Sequence, residues 1–297
     1  MREATRRMLV DTRACRPEAI AAAAAARRRP AAPVDEQGRA MVIAADHTAR
    51  GMLGAGRRAA AMADRADLLD RLCLALARPG VTGVLGTPDV IEDLLLLGAL
   101  DDVAVFGSMN RGGLQGAAWE IDDRFTAYDA ETIAANGFEG GKMLVRFDLS
   151  DPATAATVEA CADAVSALAA RDLVAMVEPF MAERVDGRVG SVLTSEAAVR
   201  ASAIAAGLGT TSAYTWLKVP VVEDMERVIG ATTLPTVLLG GEVSDDQDAT
   251  FATWERALRV PGAIGLVVGR SLLYPPDDDV AAAVDAAASL LPREVTA

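Results

Sequence analysis

The chain has 297 residues, 52% of them hydrophobic and 24% charged, with a formal net charge of −13 and one histidine. That length and apolar content can bury a core and fit one large α/β domain or two small ones. The acid excess argues against nucleic-acid binding, which needs clustered Lys and Arg, and no stretch reaches the roughly 18 uninterrupted apolar residues of a membrane span.

Residues 1–36 read as a helical N-terminal extension, with an Ala-rich run at 19–26, Pro17 near a helix start, and Pro30 and Pro33 ending it. The Arg27, Arg28, Arg29 run reads as a solvated helix end. Residues 37–297 are the expected catalytic domain. Cys15, Cys73 and Cys161 are isolated and odd in number, without CxxC spacing. Neither a disulfide framework nor a zinc site is indicated, and a reducing cytoplasm fits.

From residue 41 onward, short apolar or β-branched runs alternate with longer helical patterns. The strand candidates are 41–46, 81–86, 103–108, 142–148, 173–178, 215–220, 235–240 and 263–269. Helical patterns follow near 58–78, 88–99, 129–136, 152–170, 194–207, 221–230, 244–259 and 278–291. Ser150-Asp151-Pro152 and Thr87-Pro88-Asp89 mark two helix starts, a capping residue standing before or beside a Pro. Eight strands, each followed by a helix, predict a (β/α)8 TIM barrel. A doubly wound open sheet is the alternative, but neither a GxGxxG nor a P-loop follows the first strand.

In a barrel, alternate strand residues face the lumen, and chemistry sits at the strands' C-terminal ends. On the fourth strand Met143, Val145 and Phe147 form the apolar face that must meet helices, which leaves Lys142 and Arg146 facing inward. On the sixth, Leu217 and Val219 face out, and Trp216 and Lys218 face in. Glu178 ends the fifth strand and Asp46 the first, with His47 next to it.

Only two of the 29 basic residues are lysines, Lys142 and Lys218, and both lie in apolar runs. GC-rich coding explains why lysines are scarce. It does not explain where the two stand. Arg stays protonated at physiological pH, whereas a buried Lys shifts its pKa readily. A desolvated lysine beside a second cation becomes a neutral amine that attacks a carbonyl, and Glu178 is the expected acid/base, its carboxyl raised toward neutrality by burial. One histidine cannot supply the ligand cluster of a metal-dependent aldolase or hydrolase, so no metal and no cofactor is expected.

These residues resemble the class I, Schiff-base aldolases of the tagatose-1,6-bisphosphate aldolase, deoxyribose-phosphate aldolase and archaeal fructose-bisphosphate aldolase type, over about residues 41 to 275. Lys218-Val219-Pro220 matches the context of the family's imine lysine. Lys142 matches its fourth-strand lysine, Glu178-Pro179 its fifth-strand pair, and Asp46 its first-strand aspartate. The resemblance implies a lyase acting on a phosphorylated ketose or deoxy-keto-sugar, with Lys218, Lys142, Glu178 and Asp46 catalytic. The turns at 238–246 and 265–274 resemble the family's phosphate-binding turns, which implies a phosphate held by Gly240, Gly241, Gly269 and Arg270; His47 and Arg146 are further substrate-binding candidates. Read by themselves, the glycines equally suit tight strand-to-helix turns.

The chain departs from the pattern where Asp46-His47-Thr48-Ala49-Arg50-Gly51 stands in place of a Gln-Arg-Gly continuation. The loop from Ser108 to Leu114 reads as a lid or a plain connector, and Glu120, Asp122, Asp123 and Arg124 as a solvated rim. Tyr214 and Trp216 read as packing residues. Competing expectations are a transaldolase-like or 2-keto-acid lysine enzyme, and a non-catalytic barrel that binds sugar phosphates. A homo-oligomer is expected from the barrel class alone.

Overall fold

The computed structural model describes residues 3–110, 114, 117 and 121–291. Eight parallel strands close into a barrel: β1 (Ala40–Ala45), β2 (Gly83–Gly86), β3 (Ala104–Ser108), β4 (Gly140–Phe147), β5 (Val174–Val185), β7 (Thr215–Val219), β8 (Thr236–Leu239) and β9 (Ala263–Val268). β4 pairs with both β3 and β5, which joins the two ends of the sheet and completes the (β/α)8 fold. The remaining strand, β6 (Arg188–Ser191), lies outside the barrel and pairs antiparallel with the overhanging end of β5.

Period-two alternation divides the apolar residues into two sets. Met41 and Ile43 of β1, Met143, Val145 and Phe147 of β4, and Leu217 and Val219 of β7 belong to the large cluster between sheet and helices. Val42, Leu85, Phe106, Met176, Trp216, Val237 and Val267 fill the lumen. There Phe106 and Trp216 lie 5.9 Å apart between ring centres. The lumen is therefore a packed core with polar groups only toward one end.

The surrounding helices are α3 (Arg65–Leu76), α4 (Pro88–Leu96), α5 (Ala130–Ala135), α6 (Ala153–Ala169), α7 (Ser195–Ala206), α8 (Met225–Ile229), α9 (Gln247–Leu258), α10 (Arg270–Leu273) and α11 (Val280–Ser289). Several start later than the apolar periodicity suggests, because an aspartate captures the first turn. Asp64 accepts from the amides of Ala66 and Asp67, Asp224 from Arg227, and Asp246 from Ala249. Pro88 occupies the first turn of α4, as the sequence suggests.

The N-terminal segment forms α1 (Glu3–Cys15) and α2 (Glu18–Ala26). Its Arg run is not a solvated helix end throughout. Arg27 is buried, donating to the carbonyls of Val103 (2.7 Å) and Gly137 (2.6 Å) and pairing with Glu139 at 3.0 Å. Arg28 does remain exposed, paired with Asp102. The fixed positive charge and five donors of Arg suit it to such a closed site. No helix among the described residues is long and apolar enough to cross a membrane.

Candidate active site

The C-terminal ends of the strands surround a cavity of about 760 Å³ whose lining includes His47, Arg50, Arg146, Glu178, Lys218, Gly240, Gly241, Gly269 and Arg270. At its base lies a chain of buried charges. Glu178 of β5 contacts Lys218 of β7 at 2.9 Å and Lys142 of β4 at 2.5 Å, and Lys142 donates to Asp46 at 2.9 Å. Residues of three strands and Asp46, just past the end of β1, thus form one network, on the lumen side as the alternation requires.

Burial and neighbouring charge compete at each member. Burial alone would raise the Asp46 carboxyl, but Lys142, His47 and Lys218 hold it well below the ordinary carboxylate range. Burial would lower Lys142, yet Asp46 and Glu178 raise it above the usual lysine value, so it stays an ammonium. Lys218 goes the other way: burial lowers it, Glu178 offsets part of that, and the Lys142 charge lowers it further, leaving a net depression. The two lysines are therefore unequal, and Lys218 is the one that gives up its proton more easily.

Glu178 corrects an expectation. Burial does push its carboxyl up, but Lys142 and Lys218 outweigh this and take it down to about 2. In this arrangement its carboxyl is held low, not raised toward neutrality. The lysines it bridges are the reason.

Arg146 corrects another. It lines the cavity, but its guanidinium is committed to Asp123, with Nε 3.0 Å from Oδ2 and a second, shorter contact through Nη2. Asp123 is buried, not part of a solvated rim; Asp122 and Arg124 pair with each other at the surface. Glu120, and Arg111 to Gly113 of the expected lid, lie outside the described residues. Asn110, which the sequence placed in that loop, is instead buried. Its amide clasps β4, accepting from Leu144 N at 2.9 Å and donating to Leu144 O at 2.7 Å, so it braces the strand that carries Lys142.

His47 begins a short 3-10 turn, His47–Arg50, directly after β1. Burial lowers its imidazole, Asp46 raises it in part, and Arg270, Lys218 and Arg50 lower it again, to about 4. It is neutral near pH 7, with Nδ1 3.7 Å from Asp46 and no closer acceptor or donor among the described residues.

The glycines at the far rim have packing reasons of their own. A Cβ on Gly240 would stand 2.5 Å from Val268, one on Gly269 would stand 2.2 Å from the Ala44 carbonyl, and Gly241 has φ +70°. Those constraints need no anion. Arg270 is the more informative residue: it lines the cavity, and its side chain is 9% exposed while that of its partner Glu242, 2.9 Å away, is 78% exposed.

One other feature frames the mouth. β5 overshoots the barrel and turns at Asp186-Gly187, both at positive φ, into β6. The Asp-Gly pair flanked by alternating residues was a legible hairpin signal. Tyr214 stands at the opposite end of β7, its hydroxyl donating to Asp172, and takes no part in the site. Among the described residues no group of three or more His, Cys, Asp or Glu is placed to hold a metal ion.

A family model described as Cgl0159-like matches residues 38–288. The crystal structure of Cgl0159 from Corynebacterium glutamicum (Brevibacterium flavum) is 52% identical, with a TM-score of 0.94 over 98% of each chain. A Schiff-base-forming fructose-1,6-bisphosphate aldolase is similar at 19% identity and TM-score 0.66, over 87% of this chain and 96% of the other. A fructose-bisphosphate aldolase from Slackia heliotrinireducens is similar at 15% identity and TM-score 0.63, over 93% of this chain and 91% of the other. At those identities, the likeness to the aldolases is one of fold. No curated protein matches the sequence.

Proposed function

The chain belongs to the Cgl0159-like family, and from that premise we propose that it is a class I aldolase acting on a phosphorylated ketose or deoxy-keto-sugar through a Schiff base on Lys218. The observation that carries this reading is Glu178 bridging two buried lysines of unequal proton affinity, at 2.9 Å from Lys218 and 2.5 Å from Lys142. Both cations on this carboxylate are lysines, which unlike arginines can give up a proton. A nucleophilic amine needs a neighbour that keeps it unprotonated.

The proposed steps follow from the charges. Neutral Lys218 adds to the substrate carbonyl, and the new alkoxide takes up a proton from solvent, forming a carbinolamine. Ionised Glu178 receives the proton released from the amine nitrogen. It returns that proton to the departing hydroxyl, which leaves as water and yields the protonated imine. Glu178, ionised again after that step, takes the proton from the hydroxyl β to the imine carbon, and the carbon–carbon bond breaks. Its electron pair moves to the imine, giving an enamine and an aldehyde. Protonation of the enamine carbon and addition of water then free the ketone and Lys218. Lys142, fixed as an ammonium by Asp46, donates to the substrate oxygen and depresses Lys218, while Arg270 takes the phosphate by exchanging Glu242 for phosphate oxygens.

Borohydride reduction with dihydroxyacetone phosphate or fructose 1,6-bisphosphate, followed by peptide mass spectrometry, tests the reading. A reduced adduct on the peptide containing Lys218 is expected. No adduct with any carbonyl substrate, together with tight phosphate binding, would replace the aldolase by a non-catalytic sugar-phosphate barrel.

A further inference from the structure

β5 does not stop at the rim of the barrel. Its period-two alternation, which turns Met176 and Glu178 inward, carries on through Phe180 and Ala182 as the pairing with β4 ends at Phe147 and Met181. β6 lies beside it with Ala182 opposite Ser191 and Arg184 opposite Val189, so Val189 and Ser191 share the inward face. The amide of Val192 donates to Met181 O, which extends the ladder and returns Leu193 to that same face.

The hairpin accordingly gives the cavity Phe180, Val189, Ser191 and Leu193. Its charged residues, Glu183, Arg184, Asp186 and Arg188, are exposed and take no part in the lining. Arg184 shares the inward face but is drawn aside, to Gly187 O at 3.1 Å and Asp151 at 3.4 Å. Leu144 on β4, and Pro220 and Val221 after β7, extend the apolar wall. Leu193 belongs to it and is still 62% exposed, a large apolar side chain left mostly uncovered among the described residues. The other side of the cavity, past the ends of β8, β9 and β1, is polar, with Glu242, Arg270, His47 and Arg50.

Glu178 decides what meets the wall. On the aldolase reading its carboxylate takes the proton of the hydroxyl β to the imine carbon, so the carbon bearing that hydroxyl lies against it. The remaining substituent of that carbon is the rest of the aldehyde half. Phe180 is the next residue on the same face, about 7 Å further along the strand and away from the barrel floor. Backbone groups between the two hairpin strands are engaged in their ladder, and Ser191 is the one hydroxyl among the hairpin's lining residues. A row of hydroxyls laid here would give up water for almost no partner, whereas a hydrocarbon chain gains by leaving water.

We propose that the hairpin forms the subsite for the aldehyde half of the substrate, and that this half carries an alkyl substituent, not a polyhydroxylated chain, with Phe180, Val189 and Leu193 setting the preference. The identity of the half rests on the Schiff-base reading. The apolar nature of the subsite does not.

Two experiments keep these apart. Dihydroxyacetone phosphate is condensed with acetaldehyde, propanal and butanal, and with glyceraldehyde as the hydroxylated counterpart of propanal. For the alkyl series kcat/KM is expected to rise about 3- to 4-fold per methylene, and propanal is expected to exceed glyceraldehyde at least about 10-fold. Leu193→Ser, at an exposed position, and Val189→Thr, which keeps the side-chain shape, are each expected to flatten the rise and narrow the preference. Equal use of alkyl and hydroxylated aldehydes, or a rise that survives both substitutions, overturns the proposal. So does a drop in oligomer mass on sedimentation of Leu193→Ser with the rise unchanged, because the wall would then be covered by a second copy of the chain.

The second experiment needs no chemistry. In calorimetric titrations with ethyl to octyl phosphate, affinity is expected to increase with chain length in the unmodified protein and to level off in Leu193→Ser. A flat series in the unmodified protein overturns the apolar subsite. Failure to trap any imine on Lys218 would instead sink the aldolase reading, and the titrations would still decide whether the hairpin holds a hydrocarbon chain.

Discussion

Both ends of the barrel bury a glutamate between two cations, and the two glutamates are treated differently. At the N-terminal end, Glu139 lies 3.0 Å from Arg27 and 3.1 Å from Arg29 and also accepts from the amide of Val105 at 2.8 Å. Arg27 also donates to the carbonyls of Val103 and Gly137. At the C-terminal end, Glu178 is flanked by Lys142 and Lys218, and a cavity opens beside it. The lower cluster uses cations that cannot lose a proton and ties Arg27 to two backbone carbonyls as well as to the carboxylate. The upper one uses cations that can, and leaves neighbouring groups without partners. A buried ion pair is weak evidence of function; the choice of lysine, the sharing of one carboxylate and the adjoining cavity are what separate the two ends.

The sharpest way to break this contrast is at Lys218. Lys218→Arg keeps the charge but removes the nucleophile, so turnover is expected to fall at least about 10⁴-fold while the melting temperature changes little; steady-state kinetics and calorimetry read both. Arg27→Leu is expected to do the reverse. It strands the Glu139 carboxylate in a buried site, costing about 3–5 kcal/mol in denaturant unfolding, with kcat per folded molecule unchanged.

Glu178→Gln comes next, with a loss of about 10²–10⁴-fold in turnover as the proton acceptor is removed. A Glu178→Gln enzyme with full turnover would place the proton acceptor elsewhere. The smallest effect is a shift on the pH axis. Burial depresses Lys218, Glu178 opposes this and Lys142 adds to it, so imine trapping should rise with pH around a midpoint below the ordinary lysine value of 10.5. Lys142→Met removes a charge that disfavours protonation of Lys218, so the midpoint should move upward, whereas Lys142→Arg should retain some trapping near the original midpoint.

Much of this architecture was legible in residue order. The strands were found because each is a short apolar run bounded by turns. Lys142 and Lys218 could be placed inward because the apolar partners on their strands occupy the alternate positions. What misled was solvent exposure. Asp123, adjacent to Asp122 and Arg124, reads like a solvated rim, yet it is the buried partner of Arg146. Arg27, first of three arginines, reads like a helix end and is a buried anchor. The hairpin of β5 and β6 was visible in Asp186-Gly187 but was hidden by reading the fifth strand as ending at Glu178.

The sequence by itself determined the eight-strand count, the face each lysine takes and the scarcity that made those lysines conspicuous, since all three depend on composition or on a local period of two. Only the tertiary structure decided that two lysines flank Glu178 and hold its carboxyl low, and that Arg146 is already paired with Asp123. Those facts are set by distance and burial between residues far apart along the chain, such as Asp46 and Lys142, whose separation of 96 positions closes to 2.9 Å across the lumen. Coulomb energy depends on that spatial separation and on the exclusion of water around it, and neither quantity is local to the sequence.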